Sequence, residues 1–185
     1  MGGANQQERL SNAESKKWFL AGFIEGEGSL CVSIKAHATS RFGYYVDPEF
    51  FLYQHKNGAS LLKLAKSVFG TGRIYPKPGS ENVLVFAIAS RKSLKERVIP
   101  FFERYVVKYT AKGKTFEAFK EIVEAMEDRK EHLVPEGLAH IVEKAYVMNP
   151  GSKGKERKRS LEAVLGRILR GHTPDLDHNT QVEVK

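Results

Sequence analysis

Residues 20–28 read Leu20-Ala21-Gly22-Phe23-Ile24-Glu25-Gly26-Glu27-Gly28, an apolar helical segment of small residues that ends in two carboxylates and a glycine. Trp18 to Ile24 are apolar apart from glycine. Ala21, Gly22 and Gly26 set minimal side chains four or five positions apart, on roughly one helical face, so a second backbone can approach closely. Glycine in a helix interior costs about 1 kcal/mol against alanine, and two of them here imply a packing demand that outweighs propensity. Small-residue spacing of this kind also joins membrane helices, but the apolar run is too short to span a bilayer. A soluble helix-to-helix interface is expected.

Glu25 and Glu27 fall in the last turn, where the negative end of the helix dipole disfavours an anion by a few tenths to about 1 kcal/mol. Either this turn is simply solvated, or a cation compensates it, and a divalent metal is the natural candidate. Gly28 is predicted to take the left-handed conformation of a helix cap.

Beyond Gly28 the period changes to alternation. Leu30, Val32 and Ile34 share one face and Ser29, Cys31, Ser33 and Lys35 the other, which predicts a strand with an apolar back and a polar front. Continued parity puts His37 on the front. After a loop near residues 38–43, Tyr44 to Tyr53 predicts a second strand ending at Gln54-His55-Lys56-Asn57. Ser60 to Phe69 predicts a helix with Leu61, Leu64, Ala65 and Val68 as its core stripe, stopping at Gly70-Thr71-Gly72. Arg73 to Lys77 and Val83 to Ala89 predict a hairpin around Pro78-Gly79-Ser80, with Arg73, Tyr75 and Lys77 on one face and Pro76 marking an edge strand. Helices are predicted over 92–103, 114–129, 135–148 and 160–169, the last capped by Ser160, with Phe116, Phe119, Ile122, Val123 and Met126 inward on the second.

The nonapeptide resembles the signature of the LAGLIDADG homing endonucleases, with Phe23 for the second leucine, Glu25 for the first aspartate, Gly26 for the second alanine and Glu27 for the second aspartate. The resemblance extends over residues 16–170. It implies a mixed α+β (α/β) fold of order αββαββα, with a saddle-shaped antiparallel sheet and added C-terminal helices. Residues 1–15 are expected as a flexible start, 16–170 as one domain and 171–185 as a disordered tail. The resemblance further implies that the motif helix pairs with its twin across a twofold axis, through Ala21, Gly22, Ile24 and Glu25. The last acid, Glu27, would bind a catalytic divalent ion with the Gly26 carbonyl. Mg²⁺ is the expected cofactor, and Mn²⁺ or Ca²⁺ could occupy the same site; glutamate in place of aspartate still offers oxygen ligands to a hard cation. Two more catalytic positions are carried over: Gln54, late in the second strand, and a lysine before the helix that follows the fourth strand, best matched by Lys112, with Lys108 and Lys114 as the other choices. Lys56 stands in for a basic residue found a little beyond the glutamine.

The chain has one copy of the motif, so a homodimer and a near-palindromic double-stranded DNA target are expected. Ser33, Lys35, His37, Arg73, Tyr75 and Lys77 are expected to face the DNA, and Lys153, Lys155, Arg157, Lys158 and Arg159 to clamp phosphates. Thirty Lys and Arg against 22 Asp and Glu, a formal net charge of +8, suit a polyanionic partner. The single Cys31 rules out an intrachain disulfide framework. With no leader of signal type and no membrane-length stretch, an intracellular protein with no membrane partner is expected. His172 and His178 lie in a tail with no apolar periodicity to fix a metal site. Two other readings stay open on the same scaffold: a splicing maturase that binds intron RNA, and a DNA-binding regulator that does not cut.

Overall fold

The computed structural model describes residues 6–148 and 159–170. Its first element is a 22-residue helix, α1 (Gln6–Glu27). Residues 6–15, expected as part of a flexible start, are the first turns of this helix. Among them, Glu14 makes tertiary contacts that no local pattern shows. The Glu14 carboxylate accepts hydrogen bonds from the Tyr105 hydroxyl at 3.1 Å and from Arg104 at 3.2 Å, which keep its carboxyl below the usual range. One turn on, Trp18 sets its ring edge-on to Tyr105, with centroids 4.9 Å apart.

Helix passes into strand with no intervening turn. β1 (Gly28–Ala36) starts at Gly28, which pairs with Leu52 of β2 (Tyr44–His55). Gly28 is not among the glycines with positive φ, so the predicted left-handed cap is not formed. Glycine is needed here for closeness: a Cβ would lie 2.4 Å from the carbonyl oxygen of Ile24. The left-handed cap is found instead at Gly70 (φ +66°), which ends α2 (Ala59–Phe69) as the sequence predicted. On α2 the fully buried residues are Leu62, Ala65 and Phe69, while Leu61, Leu64 and Val68 are half-buried. The period was right and the phase was displaced, because apolar residues occupy so broad an arc of this helix that local sequence cannot choose its centre.

β3 (Arg73–Lys77) and β4 (Ser80–Ile88) form the second hairpin, and the four antiparallel strands lie in the order β1-β2-β4-β3. Pro76 thus sits on an edge strand, as predicted. A helical run over residues 91–109, α3, follows. Pro100 within it lacks the N–H that would close a normal turn, and the turns on either side, Leu94–Val98 and Phe102–Val106, are π-wound. α4 (Gly113–Glu127), α5 (Pro135–Met148) and α6 (Leu161–Leu169) complete the fold, and the Ser160 hydroxyl accepts from the Ala163 N–H at the start of α6. The element order is the expected αββαββα with further helices behind it.

The core lies between the helices and one face of the sheet. Leu30, Val32, Val46, Phe50, Leu52, Phe86 and Ile88 supply that face. Phe50 is its centre, fully buried, with ring centroids 5.5 Å from Phe69, 6.4 Å from Phe86 and 5.5 Å from Phe102, all edge-on. It therefore ties α2, β4 and α3 to β2. Phe50→Ala is expected to lower unfolding free energy by about 3–5 kcal/mol in urea titration, with the transition remaining cooperative.

Candidate active site and nucleic-acid interface

The C-terminal end of α1 holds the acidic residues. Gly26 and Glu27 are exposed and Glu25 is half-buried. The Glu25 Oε2 is buried without a hydrogen-bond partner. Lys112 reaches this end from the turn before α4, where its Nζ donates to the Gly28 carbonyl at 3.0 Å. Of the three candidate lysines, Lys112 is thus the one tied to the motif. Its own backbone N–H is held by the Thr110 hydroxyl at 3.3 Å.

Gln54 lies at the same end of the sheet, since it is two residues beyond the Gly28 and Leu52 pair. Its Oε1 accepts from the His55 N–H at 2.8 Å. Its side chain folds over Gly58, where a Cβ would come within 2.7 Å of the glutamine Cγ. Lys56 opens the following short 3₁₀ turn and is exposed. A hollow of about 710 Å³ bordered by Arg41, Asp47, Arg91 and His132 lies at the other end of β2, and no residue of the motif lines it.

Strand register decides which side chains share a face, because directly opposed residues of a pleated sheet point the same way. Ser33 opposes Asp47, Lys35 opposes Tyr45, and Cys31 opposes Glu49; farther along, Phe51 opposes Ala87, Tyr53 opposes Val85, and Val85 and Ala87 oppose Tyr75 and Arg73. Ser33, Lys35, Arg73 and Tyr75 accordingly share the face turned away from the core. Lys77 follows a bulge at Pro76, yet its Nζ lies 5.2 Å above the Tyr53 ring, on that same face. His37 lies one residue beyond β1, which ends at Ala36. It belongs to the connecting loop, with its N–H bonded to the Gly43 carbonyl at 3.0 Å and its ring 4.9 Å from that of Tyr45.

Five residues of this outer face escaped the reading of the sequence: Tyr45, Asp47, Glu49, Phe51 and Tyr53. Alternation along β2 contains them, but aromatic residues at both parities (Tyr44 and Tyr45, Phe50 and Phe51) conceal which set is inward. Lys35 bonds Asp47 at 2.9 Å, and this carboxylate raises the lysine above its ordinary range. The Ser33 hydroxyl lies 3.5 Å from Glu49. Burial, more than its neighbours, pushes the Tyr53 phenol up. Of the basic segment, Lys153, Lys155, Arg157 and Lys158 lie outside the described residues. Arg159 is exposed, and its carbonyl accepts from the Tyr146 hydroxyl at 2.9 Å.

The proposed helix interface is divided differently from the expectation. Ala21 and Ile24 are 5% and 0% exposed and belong to the chain's own core, so they are not available to a partner. The open side of α1 carries Phe19, 60% exposed, together with Gly22 and Gly26, where a Cβ would meet nothing within 4 Å. Trp18, 42% exposed, borders it. Among the described residues no helix is long and apolar enough to cross a membrane.

Residues 20–123 match the family model of the LAGLIDADG endonucleases, and the chain belongs to that family. DNA endonuclease I-CeuI of Chlamydomonas moewusii is 50% identical over 121 residues, which are 64% of this chain and 56% of that protein. The chain thus spans little more than half the length of that relative. Homing endonuclease I-ApeII of Aeropyrum pernix is 34% identical over 148 residues, 80% of this chain and 86% of that protein. Among solved structures, the group I intron-encoded homing endonuclease I-CeuI complexed with DNA matches with a TM-score of 0.77 and 42% identity, covering 83% of this chain and 76% of its own. The archaeal intron-encoded homing endonuclease I-Vdi141I complexed with DNA matches with a TM-score of 0.76 and 32% identity, covering 85% and 96%.

The contact between Gly28 and the backbone of Ile24 leaves no space for a methyl group. Gly28→Ala is expected to destabilise the fold by about 1–3 kcal/mol in chemical denaturation, whereas Gly22→Ala, on the open side of α1, leaves the isolated chain as stable as before or more so.

Proposed function

We propose that this chain is a site-specific DNA endonuclease that acts as a homodimer and cuts both strands of a long, near-palindromic duplex with the help of a divalent metal. The observation that carries this reading is the hydrogen bond from Lys112 to the Gly28 carbonyl, one residue beyond Glu27 at the end of α1. Membership of an endonuclease family and the DNA complexes of its relatives support it. Action on genomic DNA requires a location inside the cell.

The donors at the end of α1 suit a hard cation. They are oxygens, the Glu27 carboxylate and the Gly26 carbonyl, on two exposed residues of the last turn, and the adjacent residue, Glu25, has a buried and unpartnered Oε2. No three His, Cys, Asp or Glu residues converge among the described residues. One chain therefore supplies too few ligands for a full shell, and phosphate oxygens of the DNA and the second chain's motif are natural sources of the rest. Mg²⁺ is the ion we assign, with Mn²⁺ or Ca²⁺ as alternatives in the same oxygen site. When bound, it neutralises charge at the scissile phosphate and makes water a stronger nucleophile.

The protein groups do the remaining work. Lys112 is held by the Gly28 carbonyl through one N–H, leaving two to face the phosphate or the departing oxygen. Gln54, braced on the His55 N–H, presents its amide NH₂ to solvent that must be ordered for attack. Ser33, Lys35, His37, Arg73, Tyr75 and Lys77 are assigned to the major groove, and the basic residues from Lys153 to Arg159 to phosphates.

A symmetric dimer follows from one motif per chain and from the bare stripe of Phe19, Gly22 and Gly26. A twin helix on that stripe would bring two copies of Glu27 close to one dyad and cover Glu25. Gly22→Leu, which helix propensity tolerates, is expected to leave the chain folded but monomeric in sedimentation equilibrium and unable to cut.

The direct test incubates the protein with pooled long duplexes in Mg²⁺ or EDTA and sequences the ends. Recurrent metal-dependent ends at one near-palindromic site are expected. Glu27→Gln should slow cutting at least about 100-fold while retaining binding, and Lys112→Met should lower kcat by about 10²- to 10⁴-fold. Selective binding with no cutting by the wild type would overturn the nuclease reading in favour of a regulator.

A further inference from the structure

A chain of net charge +8 carries two carboxylates on its outer sheet face, within the β1-β2 hairpin. Asp47 and Glu49 are both half-buried and share that face with Lys35, Arg73 and Lys77. Against phosphates a carboxylate is repelled, by roughly 1 kcal/mol at 4 Å even in water. On a surface meant for DNA it therefore weakens binding unless it meets a hydrogen-bond donor. In the major groove the donors are the exocyclic amino groups, cytosine N4 and adenine N6.

The two acids are not alike in surroundings, but they repeat one arrangement. Lys35 Nζ bonds Asp47 Oδ2 at 2.9 Å, and one step inward the Ser33 hydroxyl lies 3.5 Å from Glu49 Oε2. Each places a donor of β1 diagonally beside an acceptor of β2. Asp47 keeps its second oxygen for another donor, and Lys35 keeps two N–H groups. In a C·G pair the cytosine amino group adjoins guanine O6, with N7 next to it. A carboxylate on the amino group and an ammonium shared between O6 and N7 satisfy both partners. An A·T pair gives the ammonium only one acceptor on either side of its amino group.

Spacing agrees with two separate contacts. Two residues along an antiparallel strand advance about 6.8 Å, the rise of about two base pairs at 3.4 Å each.

We infer that Asp47 and Glu49 are specificity-determining residues that select cytosine at two positions about two base pairs apart in each half-site, Asp47 acting with Lys35 on a C·G pair. This rests on the reading that the outer sheet face lies in the major groove. The carboxylates contribute discrimination at the expense of general affinity for phosphate.

The test uses the full chain, wild type, Asp47→Asn and Glu49→Gln, each first shown to melt as the wild type does. Duplexes with randomised half-sites are bound in Ca²⁺, recovered and sequenced, so that base preference is read without cutting. The wild type is expected to favour cytosine by about tenfold or more at two positions. Asp47→Asn should move the outer preference from cytosine to adenine, because an amide pairs with adenine N6 and N7, and leave the inner position unchanged. Glu49→Gln should do the reverse. Preferences identical in all three proteins, or a uniform rise in affinity across all sequences, would overturn the inference alone. A wild type that retains no duplex would overturn the major-groove reading and this inference together.

Discussion

The joint between α1 and β1 governs the rest of the molecule. Gly28 is packed against the Ile24 carbonyl, pairs with Leu52 and accepts the Lys112 ammonium on its own carbonyl. Helix, sheet and the turn before α4 are therefore fixed to one residue. A flexible cap at this point would let the Glu27 carboxylate drift against the sheet, and reacting groups tolerate little misplacement. The absence of a turn couples the acidic end of the helix rigidly to the face proposed to hold DNA.

α1 has two sides with opposite duties. Leu20, Ala21 and Ile24 are buried in the core, while Phe19, Gly22 and Gly26 look outward. The small residues that drew notice as one face are split between them. Ala21 is buried in the chain's own core, whereas Gly22 and Gly26 leave the outer surface bare, since a Cβ at either would meet nothing within 4 Å. The unpartnered oxygen of Glu25 lies at the border of the two sides, where a single chain leaves its needs unmet.

The outer sheet face has a mixed character that net charge conceals. Lys35, Arg73 and Lys77 are interspersed with Asp47 and Glu49 and with the rings of Tyr45, Phe51, Tyr53 and Tyr75. An indiscriminate phosphate-binding surface would have no use for the acids, whereas groups matched to base edges require donors and acceptors side by side.

Much of this was legible in the chain itself. The motif, the alternation of β1, the Pro-Gly hairpin, the Gly70 stop and the Ser160 cap are local, since each depends on residues within a turn or two. Lys112 was legible only through resemblance, because a hydrogen bond across 84 residues leaves no periodic trace. Tertiary structure alone decided that Glu14 is bonded to Tyr105 and Arg104, that Ala21 and Ile24 turn inward, and that Asp47 and Glu49 face outward with Lys35. Backbone preferences and amphipathic periods act between near neighbours and can specify an element and its rhythm. Which side of that element is covered depends on what the folded chain brings against it, and that is set by packing between residues far apart in sequence.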